Sequence, residues 1–524
     1  MRGTHKFIVA LMVSGLASGC STLPPQPVVT PSQSIVASVN SATDLSRRID
    51  PRIERTDLIY PLIDPLEAFS TRVQLIQRAQ RSLDLAYYIW GNDLTGKLMF
   101  EELQQAAKRG VRVRLLLDDN NTKGLDPLLL ALNQTPHLEI RLFNPMGIRS
   151  VRPLNYVLDF NRTQRRMHGK SFNADGEVMI IGGRNISDPY YRVTSDFFFA
   201  DLDVMAAGSM LPAMNQSFDR YWNHALAYPV DSVAHASVQQ QHDALQDMQA
   251  ALNDPRADTY IEAVERNRTL DQWLLGQNLA TTSNAEANTI QTSAILVDDH
   301  PIKIAQATPF DQTIGARIRA ISGQAQQSLD VISPYFVPED DGTQALIEMA
   351  KRGIKIRILT NSLAATDVPA LHGFYAKRRV SLLQAGIQLY EFKPTANSRP
   401  ISRWRLREWR GRQSNGSLHA KAISWDDDMT YVGSMNLDPR SLMLNSEVGL
   451  MITGPVAAQQ INEVFNDRVL EMAYHVTLDP QSKLQWTEKN TDDQIVTHHS
   501  EPAASFKRKA TAKLVGLLPI GYLM

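Results

Sequence analysis

The chain has 524 residues, which is too long for one ordinary domain, and its 43% apolar and 21% charged residues exclude disorder throughout. Its formal net charge is −1, which excludes an overall basic field able to hold nucleic acid by electrostatics alone. We therefore expect at least two globular units whose function depends on local sites.

The first 19 residues have the layout of a signal peptide. Arg2 and Lys6 precede an apolar run that is too short to span a bilayer. Cys20 follows at once and is the only cysteine, so intramolecular disulfides and a cysteine-based zinc site are excluded. The stretch Ala17–Cys20 is similar to a bacterial lipoprotein signal, which implies cleavage before Cys20 and lipid attachment to it. The alternative is a plain signal peptide that ends in a chance cysteine.

The lipoprotein signal implies a location as well. A lipid on Cys20 would anchor the protein to a membrane with its body facing the periplasm, and Ser21 favours the outer membrane over the inner one. Residues 20–55 are rich in Pro, Ser and Thr and lack periodicity, which predicts a flexible tether between membrane and body.

Two sequence patterns then occur twice. RAQRSLDLAYYIW (78–90) returns as GQAQQSLDVISPYF (323–336), and AAKRGVRVRLLLDD (106–119) returns as MAKRGIKIRILTNS (349–362). The distance along the chain between the copies is nearly constant. Two homologous halves are the simplest interpretation.

Each half alternates helical and strand patterns. A helix ends at Lys-Arg-Gly, with Gly110 or Gly353 as its C-cap, and a β-branched strand follows at 111–117 or 354–359. Helices that alternate with buried strands predict an α/β sandwich. We place the units as follows: lobe 1 at 56–253, a polar linker at 254–291, lobe 2 at 292–478, and a polar segment with an apolar tail at 479–524.

Each half also carries the pattern His-x-Lys-x4-Asp-x6-Gly-(Gly/Ser)-x-Asn. The copies run from His168 to Asn185 and from His419 to Asn436. Alternation around each histidine predicts a strand with His and Lys on one face, and a turn then leads to a second strand with a Gly-rich end. A single copy could be a surface strand, but two copies at one spacing indicate a site.

Two such faces brought together suit a phosphate diester. One imidazole can attack phosphorus while the other protonates the leaving alcohol. Lys170, Lys421 and the amides of Asn185 and Asn436 would stabilise the charge on the phosphate oxygens, so the chemistry needs neither metal nor cofactor. A metal site built on the histidines also fails because each copy supplies one ligand.

An acidic residue should orient each histidine. Glu447 is one candidate and Asp201 is its counterpart in the first half. Asp175 and Asp426 belong to the repeated motif and are grouped with its catalytic residues, although their place at a turn favours a structural role. The candidate catalytic residues are His168, Lys170, Asp175, His419, Lys421 and Asp426; the candidate phosphate-binding residues are Asn185, Ser434 and Asn436.

The doubled motif is the signature of the phospholipase D superfamily, which the chain therefore resembles. From about Asp64 to its C-terminus the chain also looks like the bacterial cardiolipin synthases of the C type, on stretches such as YYIW, LTNSLAATDV and SLHAK. This resemblance implies two lobes, each an α-β-α sandwich, with the active site in the cleft between them. It also implies a covalent phosphatidyl-histidine intermediate, with His168 as its nucleophile by the habit of the family.

For that subgroup the acceptor is phosphatidylglycerol and the product is cardiolipin. The donor is phosphatidylethanolamine or a second phosphatidylglycerol. Three alternatives stay open: a hydrolase that releases phosphatidic acid, a metal-independent nuclease, and a lipid-binding scaffold without catalysis. The net charge and the anchor argue against nucleic acid as a partner, and protein partners are unknown.

A basic and aromatic segment precedes the second motif. RWRLREWRGR starts at Arg403, and its arginines (Arg403 and Arg405 first among them) suit phosphate headgroups, while Trp404 and Trp409 suit the membrane interface. The alternative is a solvated basic loop. The apolar tail LVGLLPIGYLM predicts either a membrane-surface segment or a packed terminus.

Overall fold

The computed structural model describes residues 23–35, 43–48, 57–192, 197–275, 279–280, 289–395, 415–489 and 494–518. Its strands in chain order are β1 (Asp57–Leu62), β2 (Ser82–Ile89), β3 (Arg112–Asn121), β4 (Leu138–Phe143), β5 (Ser171–Ala174), β6 (Val178–Gly182), β7 (Phe197–Ala200), β8 (Asp203–Ala207), β9 (Ala227–Pro229), β10 (Leu279–Ala280), β11 (Thr289–Asp298), β12 (Ser328–Ile332), β13 (Lys355–Asn361), β14 (Gln388–Phe392), β15 (Asn415–Leu418), β16 (Ala422–Trp425), β17 (Met429–Gly433), β18 (Val448–Thr453), β19 (Ala473–Leu478), β20 (Leu484–Lys489) and β21 (Ile495–His498).

The α-helices lie between these strands and at the ends of the chain. The longer ones are Pro65–Arg78, Leu94–Lys108, Leu211–Trp222, Val238–Ala250, Ala257–Arg266, Ile314–Gln324, Glu339–Lys351, Pro369–Ala376, Pro455–Glu463 and Phe506–Gly516. The shorter ones are Asp44–Arg48, Asp126–Leu132, Asn155–Leu158, Phe160–Thr163, Thr269–Leu274, Ile302–Ala305, Arg379–Gln384, Pro439–Met443 and Val469–Met472. Among the described residues, no helix is both long and apolar enough to cross a bilayer.

The two halves contain sheets with the same strand order. The first runs β1-β8-β6-β5-β2-β3-β4-β9 and the second runs β11-β18-β17-β16-β12-β13-β14-β19. In each sheet the pairs β2–β3–β4 and β12–β13–β14 are parallel, and the flanking pairs are antiparallel. This repeated topology confirms the prediction of an α/β fold with two homologous lobes.

Both faces of the central strands are buried. Val113, Leu115 and Leu117 of β3 point into the main apolar core, whereas Leu116 lies in a second cluster on the other face. This explains why the strand is almost continuously apolar, since a strand covered on both faces has no solvent side. The helix before each such strand ends as predicted: Gly110 and Gly353 follow it with φ of 94° and 91°, a conformation that glycine adopts without strain.

The lobes are joined through backbone pairing. The first part of β11 pairs with β1, while the rest of β11 pairs with β18, so the two sheets form one continuous sheet. On the other side, β7 of the first half and β15 of the second form a parallel two-stranded sheet. The relative position of the lobes is therefore fixed by hydrogen bonds on two sides.

The predicted tether differs from the structure over residues 23–35. The backbone N–H of Ser34 donates to Asp219, and Arg114 donates to the side chains of Ser32 and Ser34. Farther along, Leu45 is fully buried in the core of lobe 1. This segment lies along the lobe because polar contacts hold it, and a Pro/Ser-rich composition does not reveal such contacts.

The predicted linker and polar C-terminal segment also differ. The helix Ala257–Arg266 packs on lobe 1, where Tyr260 is buried against Phe69 and Gln74 donates to the Val264 carbonyl. Strands β20 and β21 extend the sheet of lobe 2 beyond residue 478. Lobe 1 thus extends past residue 253 and lobe 2 past residue 478. The sequence analysis ended both lobes too early because an amphipathic element that buries only one narrow face has a mostly polar sequence.

Candidate active site

The two histidines are held by the backbone of the opposite lobe. The N–H groups of His168 and Gly169 both donate to the carbonyl of Ser446, at 2.9 and 3.1 Å. In the related place, the N–H groups of His419 and Ala420 both donate to the carbonyl of Ala200, at 2.7 and 3.0 Å. The backbone at His168 in lobe 1 is therefore hydrogen-bonded to Ser446 of lobe 2, and the backbone at His419 in lobe 2 is hydrogen-bonded to Ala200 of lobe 1.

The residue after each accepting carbonyl is an acid, and it reaches the histidine across the cleft. Nδ1 of His168 lies 2.9 Å from Oε2 of Glu447, and Nδ1 of His419 lies 2.6 Å from Oδ2 of Asp201. A carboxylate beside Nδ1 favours the tautomer with hydrogen on Nδ1 and a free Nε2, and Nζ of Lys421 also lies 3.0 Å from Nδ1 of His419. Within the described residues, neither Nε2 makes a hydrogen bond.

In each half, the strand that was predicted to include the histidine and the lysine begins only after the lysine. His168 and Lys170 precede β5, and His419 and Lys421 precede β16. Each lysine nevertheless turns back towards its histidine, because Nζ donates to the carbonyl oxygen of the same histidine. All four side chains are buried together.

Burial disfavours the charged forms of Lys170 and Lys421. It lowers the pKa of Lys170 to about 7 and the pKa of Lys421 to about 8, and the positive charge of Lys421 contributes to the fall at Lys170. A bound phosphate would favour the charged form of both. The lysines can thus supply two positive charges when the anionic substrate enters.

The imidazoles are neutral in the free site. Burial lowers the pKa of His168 to about 4, a change that Glu447 opposes and Lys170 reinforces. Burial also lowers the pKa of His419 well below its usual value, and the positive charges of Lys421 and Lys170 lower it further. A neutral ring with hydrogen on Nδ1 has its lone pair on Nε2, which is the form that can attack phosphorus.

Ser434 has a different contact from the one predicted. Its hydroxyl donates to Oε2 of Glu447 at 2.5 Å and accepts from the N–H of Val448 at 3.0 Å. The predicted phosphate-binding residue therefore holds the acid that orients His168. Burial alone would raise the pKa of Glu447, but His168, Lys170 and Ser434 outweigh it and lower that pKa.

The two asparagines differ from one another. Asn185 accepts from the N–H of Ile89 and donates to the hydroxyl of Tyr190, so its side chain is already occupied by the protein. Oδ1 of Asn436 is buried and has no partner among the described residues. Of the two asparagines, Asn436 therefore makes less use of its side chain in hydrogen bonds within the described residues.

The aspartates of the motif do not reach the histidines. The Asp175 carboxylate accepts the backbone N–H groups of Gln80, Arg81 and Ser82. Asp426 does the same for residues 326–328 in the second half. The structure therefore corrects their assignment to the catalytic group: they fix the start of β2 and β12, and their φ angles of 56° and 50° explain the turn.

Aromatic rings that the sequence analysis missed line the histidines. The ring of Tyr88 lies 4.9 Å from that of His168, and the rings of Phe199 and Tyr190 lie 4.9 and 5.2 Å from that of His419. The repeat YYIW contained Tyr88, but its echo SPYF has proline at the matched place, so no repeated signal marked it. The proposed interface residues Arg403, Trp404, Arg405 and Trp409 and the lipidation site Cys20 lie outside the described residues.

Comparison with known proteins gives the family. A family model described as "Cardiolipin synthase, PLD-like domain" matches residues 73–222 and 318–469, one match in each lobe. Cardiolipin synthase C of Escherichia coli (strain K12) is 38% identical over 89% of this chain and 96% of its own length. A cardiolipin synthase of Staphylococcus aureus is 24% identical over 77% of this chain and 65% of its own length.

The chain belongs to the phospholipase D superfamily, within its cardiolipin synthase family. This confirms the resemblance found from the sequence and the prediction of a phospholipase D-type phosphatidyltransferase, whose family acts on phospholipids. The solved phosphatidylserine synthase of Haemophilus influenzae Rd KW20 is 14% identical, with a TM-score of 0.53 over 92% of this chain and 100% of its own. At that identity it shows that the phospholipase D fold is shared.

Proposed function

We propose that this phospholipase D-type enzyme makes cardiolipin by transferring a phosphatidyl group to phosphatidylglycerol through a phosphohistidine. The donor is phosphatidylethanolamine or a second phosphatidylglycerol. One observation carries the proposal: two neutral imidazoles, each oriented by an acid of the opposite lobe, have a free Nε2 beside two buried lysines. The 38% identity to a named cardiolipin synthase C supports the choice of product.

In the first step, Nε2 of His168 attacks the phosphorus of the donor. A nitrogen–phosphorus bond forms and the bond from phosphorus to the headgroup oxygen breaks. That oxygen takes a proton from Nε2 of His419, and ethanolamine or glycerol leaves. The burial that disfavours protonated His419 in the free site is offset when the negative phosphate binds, so the acid forms in the complex that needs it.

In the second step, Nε2 of His419 takes a proton from a glycerol hydroxyl of phosphatidylglycerol. The hydroxyl oxygen attacks phosphorus, the nitrogen–phosphorus bond breaks, and His168 returns to its neutral form. Lys170 and Lys421 stabilise the charge on the non-bridging oxygens in both steps. If water replaced the lipid alcohol, the product would be phosphatidic acid, which is why the hydrolase is the second candidate.

For the location, the N-terminal sequence supports the same proposal of an anchored protein. Lipid attachment at Cys20 would anchor the chain, with its body in the periplasm and the outer membrane as its more favoured site. The support is the order of a basic start, a short apolar run and the single cysteine. Radiolabelled palmitate retained by the parent chain and lost in Cys20→Ser would test the anchor.

The reaction is tested by incubating the full chain with vesicles of phosphatidylglycerol and phosphatidylethanolamine, with a chelator present. Lipid mass spectrometry reads the products beside His168→Ala and His419→Ala. Cardiolipin that disappears in both variants supports the synthase, and phosphatidic acid alone makes the enzyme a hydrolase. No lipid product together with cleavage of plasmid DNA would establish the nuclease, whereas no reaction of either kind would favour a binding scaffold.

A further inference from the structure

A short segment before the first motif exposes many apolar side chains. In residues 151–160 the exposed ones are Val151, Leu154, Tyr156, Val157, Leu158 and Phe160, and Val157 is 77% exposed. Isolated surface residues of this kind need no explanation, but six within ten residues do. None of these side chains belongs to the buried apolar core of lobe 1.

The segment is held in place from beneath. The buried Asp119 carboxylate accepts from the N–H of Met146 at 2.7 Å and from Arg149 at 2.5 Å, and Arg152 donates to the Asp119 carbonyl. Arg149 also donates to Asp126 at 2.8 Å. The exposed apolar side chains therefore stand on a base fixed by buried ion pairs.

Contacts connect this segment to one catalytic histidine. The Tyr156 hydroxyl donates to Oδ1 of Asn120 at 2.7 Å, and Nδ2 of Asn120 lies 3.5 Å from the Tyr88 hydroxyl. The Tyr88 ring packs against His168. The apolar segment thus stands next to the His168 side of the active site.

The C-terminal helix exposes a second apolar surface. Along Phe506–Gly516 and the residue after it, Phe506, Leu514 and Leu517 fall within one arc of the helix and are largely exposed; Leu514 is 66% exposed. The opposite face is buried, and there the carbonyl oxygen of Ala512 lies so close to Gly373 that a side chain at residue 373 would not fit. The helix therefore packs through its small residues and presents its large ones to solvent.

Lysines border that exposed face. Lys507 and Lys513 are exposed on either side of the arc, and within the described part of the chain neither they nor Lys509 form an ion pair. An apolar strip bordered by uncompensated positive charge suits an interface with anionic headgroups outside and acyl chains beneath.

This helix is connected to the other catalytic histidine. Arg508 donates to the carbonyls of Leu363 and Thr366, at 3.2 and 2.7 Å. The next residue, Asp367, accepts the Tyr335 hydroxyl at 2.7 Å, and it is near enough for its charge to act on His419. The loop after β13 thus lies between the helix and His419, as the end of β3 lies between residues 151–160 and His168.

We propose that residues 151–160 and the face of Phe506, Leu514 and Leu517 form two sides of one lipid-docking surface, whose occupant is an anionic phospholipid bilayer. The surface would present headgroups to the cleft from the membrane side. This inference rests on the proposed function, because it explains how a bilayer lipid reaches two buried histidines. The lysine border favours an anionic bilayer over an apolar protein partner, which would need no uncompensated charge.

The test measures insertion at single positions in the full chain. Cys20→Ser removes the only cysteine, and Val157→Cys or Leu514→Cys is then labelled with an environment-sensitive fluorophore. Val238→Cys is the matched control, since Val238 is 83% exposed on a helix outside both elements. With vesicles of phosphatidylglycerol and phosphatidylethanolamine, we expect blue-shifted emission at both test positions and little change at the control. Phosphatidylcholine vesicles should give a smaller shift.

The outcomes separate this inference from the proposed reaction. If emission at Val157→Cys and Leu514→Cys stays like that at Val238→Cys, the surface does not bind lipid, whatever products the enzyme makes. If both positions shift while the parent chain makes no lipid product, the docking surface stands and the proposed reaction fails. A shift caused by another protein, with none on vesicles, would also overturn the inference.

Discussion

The hydroxyl of Ser434 and the nitrogen Nδ1 of His168 share one oxygen of Glu447, at 2.5 and 2.9 Å. The other lobe has no equivalent, because Gly183 stands in the place of Ser434 and a Cβ there would collide with Oδ1 of Asp201. The two histidines therefore have unequal surroundings although the motifs are nearly identical. That inequality suits one nucleophile and one acid.

The first prediction concerns this pair of positions. Ser434→Ala removes one hydrogen bond to Glu447, and we expect kcat for lipid turnover to fall by about tenfold, equivalent to about 1.4 kcal/mol. Gly183→Ala should cost more, on the order of 100-fold, because the new methyl group displaces Asp201 from His419. Steady-state kinetics with lipid vesicles measures both, and the reverse order of the two losses would contradict the geometry.

The acids themselves give the second prediction. In Glu447→Gln and Asp201→Asn the side chain keeps its shape but no longer accepts the Nδ1 hydrogen as a carboxylate, so the imidazole loses its preferred tautomer. We expect kcat to fall by about 10²–10⁴-fold in each, with unchanged circular dichroism. A combined variant should lose much less than the product of the two effects, because both acids serve one reaction. Full activity in either would show that the acid is not needed.

The crossing of acids and histidines between lobes is what the sequence could not predict. The repeats revealed two lobes, the doubled motif identified both histidines, and the need for an acid to orient each histidine led to Glu447 and Asp201 outside that motif. Which acid serves which histidine depends on the docking of Ser446 under His168 and of Ala200 under His419, between residues more than 200 positions apart. No local pattern contains that information, whereas the capping Gly110 and the turn at Asp175 are local and were found.

Asp175 and Asp426 give a prediction about stability instead of chemistry. Asn at either position keeps one acceptor oxygen but turns an amide towards backbone N–H groups, which are left without a partner. We expect Asp175→Asn to lower the free energy of unfolding by about 1–3 kcal/mol, while kcat per folded molecule changes less than about threefold. Thermal unfolding and active-site titration separate the two effects. Loss of kcat without loss of stability would return Asp175 to the catalytic group.

For Asp426, burial raises the pKa of the carboxyl, but the hydrogen bonds from the backbone N–H groups of residues 326–328 together outweigh burial and hold that pKa below its usual value. Its contribution to stability is therefore present above the pKa of the unfolded chain and is lost as pH falls through the folded value. Asp426→Asn should abolish that part of the acid sensitivity, which unfolding curves between pH 5 and pH 2 will show.

The pKa values of Lys170 and Lys421 predict how enzymatic activity falls on the alkaline side of its pH profile. Lys170 and Lys421 have pKa values of about 7 and about 8, so their charge is lost as pH rises through this range. The ratio kcat/KM, which reports on the free enzyme, should fall above about pH 7. In Lys170→Arg the guanidinium stays charged, so the fall should begin near pH 8, at a lower maximal rate. Lys377→Arg, outside the site, should leave the profile as it is, and an unmoved alkaline limb in Lys170→Arg would exclude Lys170 as its source.

The roles of the two histidines can be separated by the leaving group. A phosphatidyl ester of p-nitrophenol releases a phenolate that needs no proton, so it bypasses the general acid but not the nucleophile. If His168 attacks, His419→Ala should release a burst of p-nitrophenolate within about tenfold of the parent rate, and His168→Ala should release none. The burst should stop at about one equivalent, because without His419 no base activates the second alcohol. The trapped phosphohistidine should then be found on His168 by mass spectrometry at alkaline pH, and a burst in His168→Ala alone would exchange the two roles.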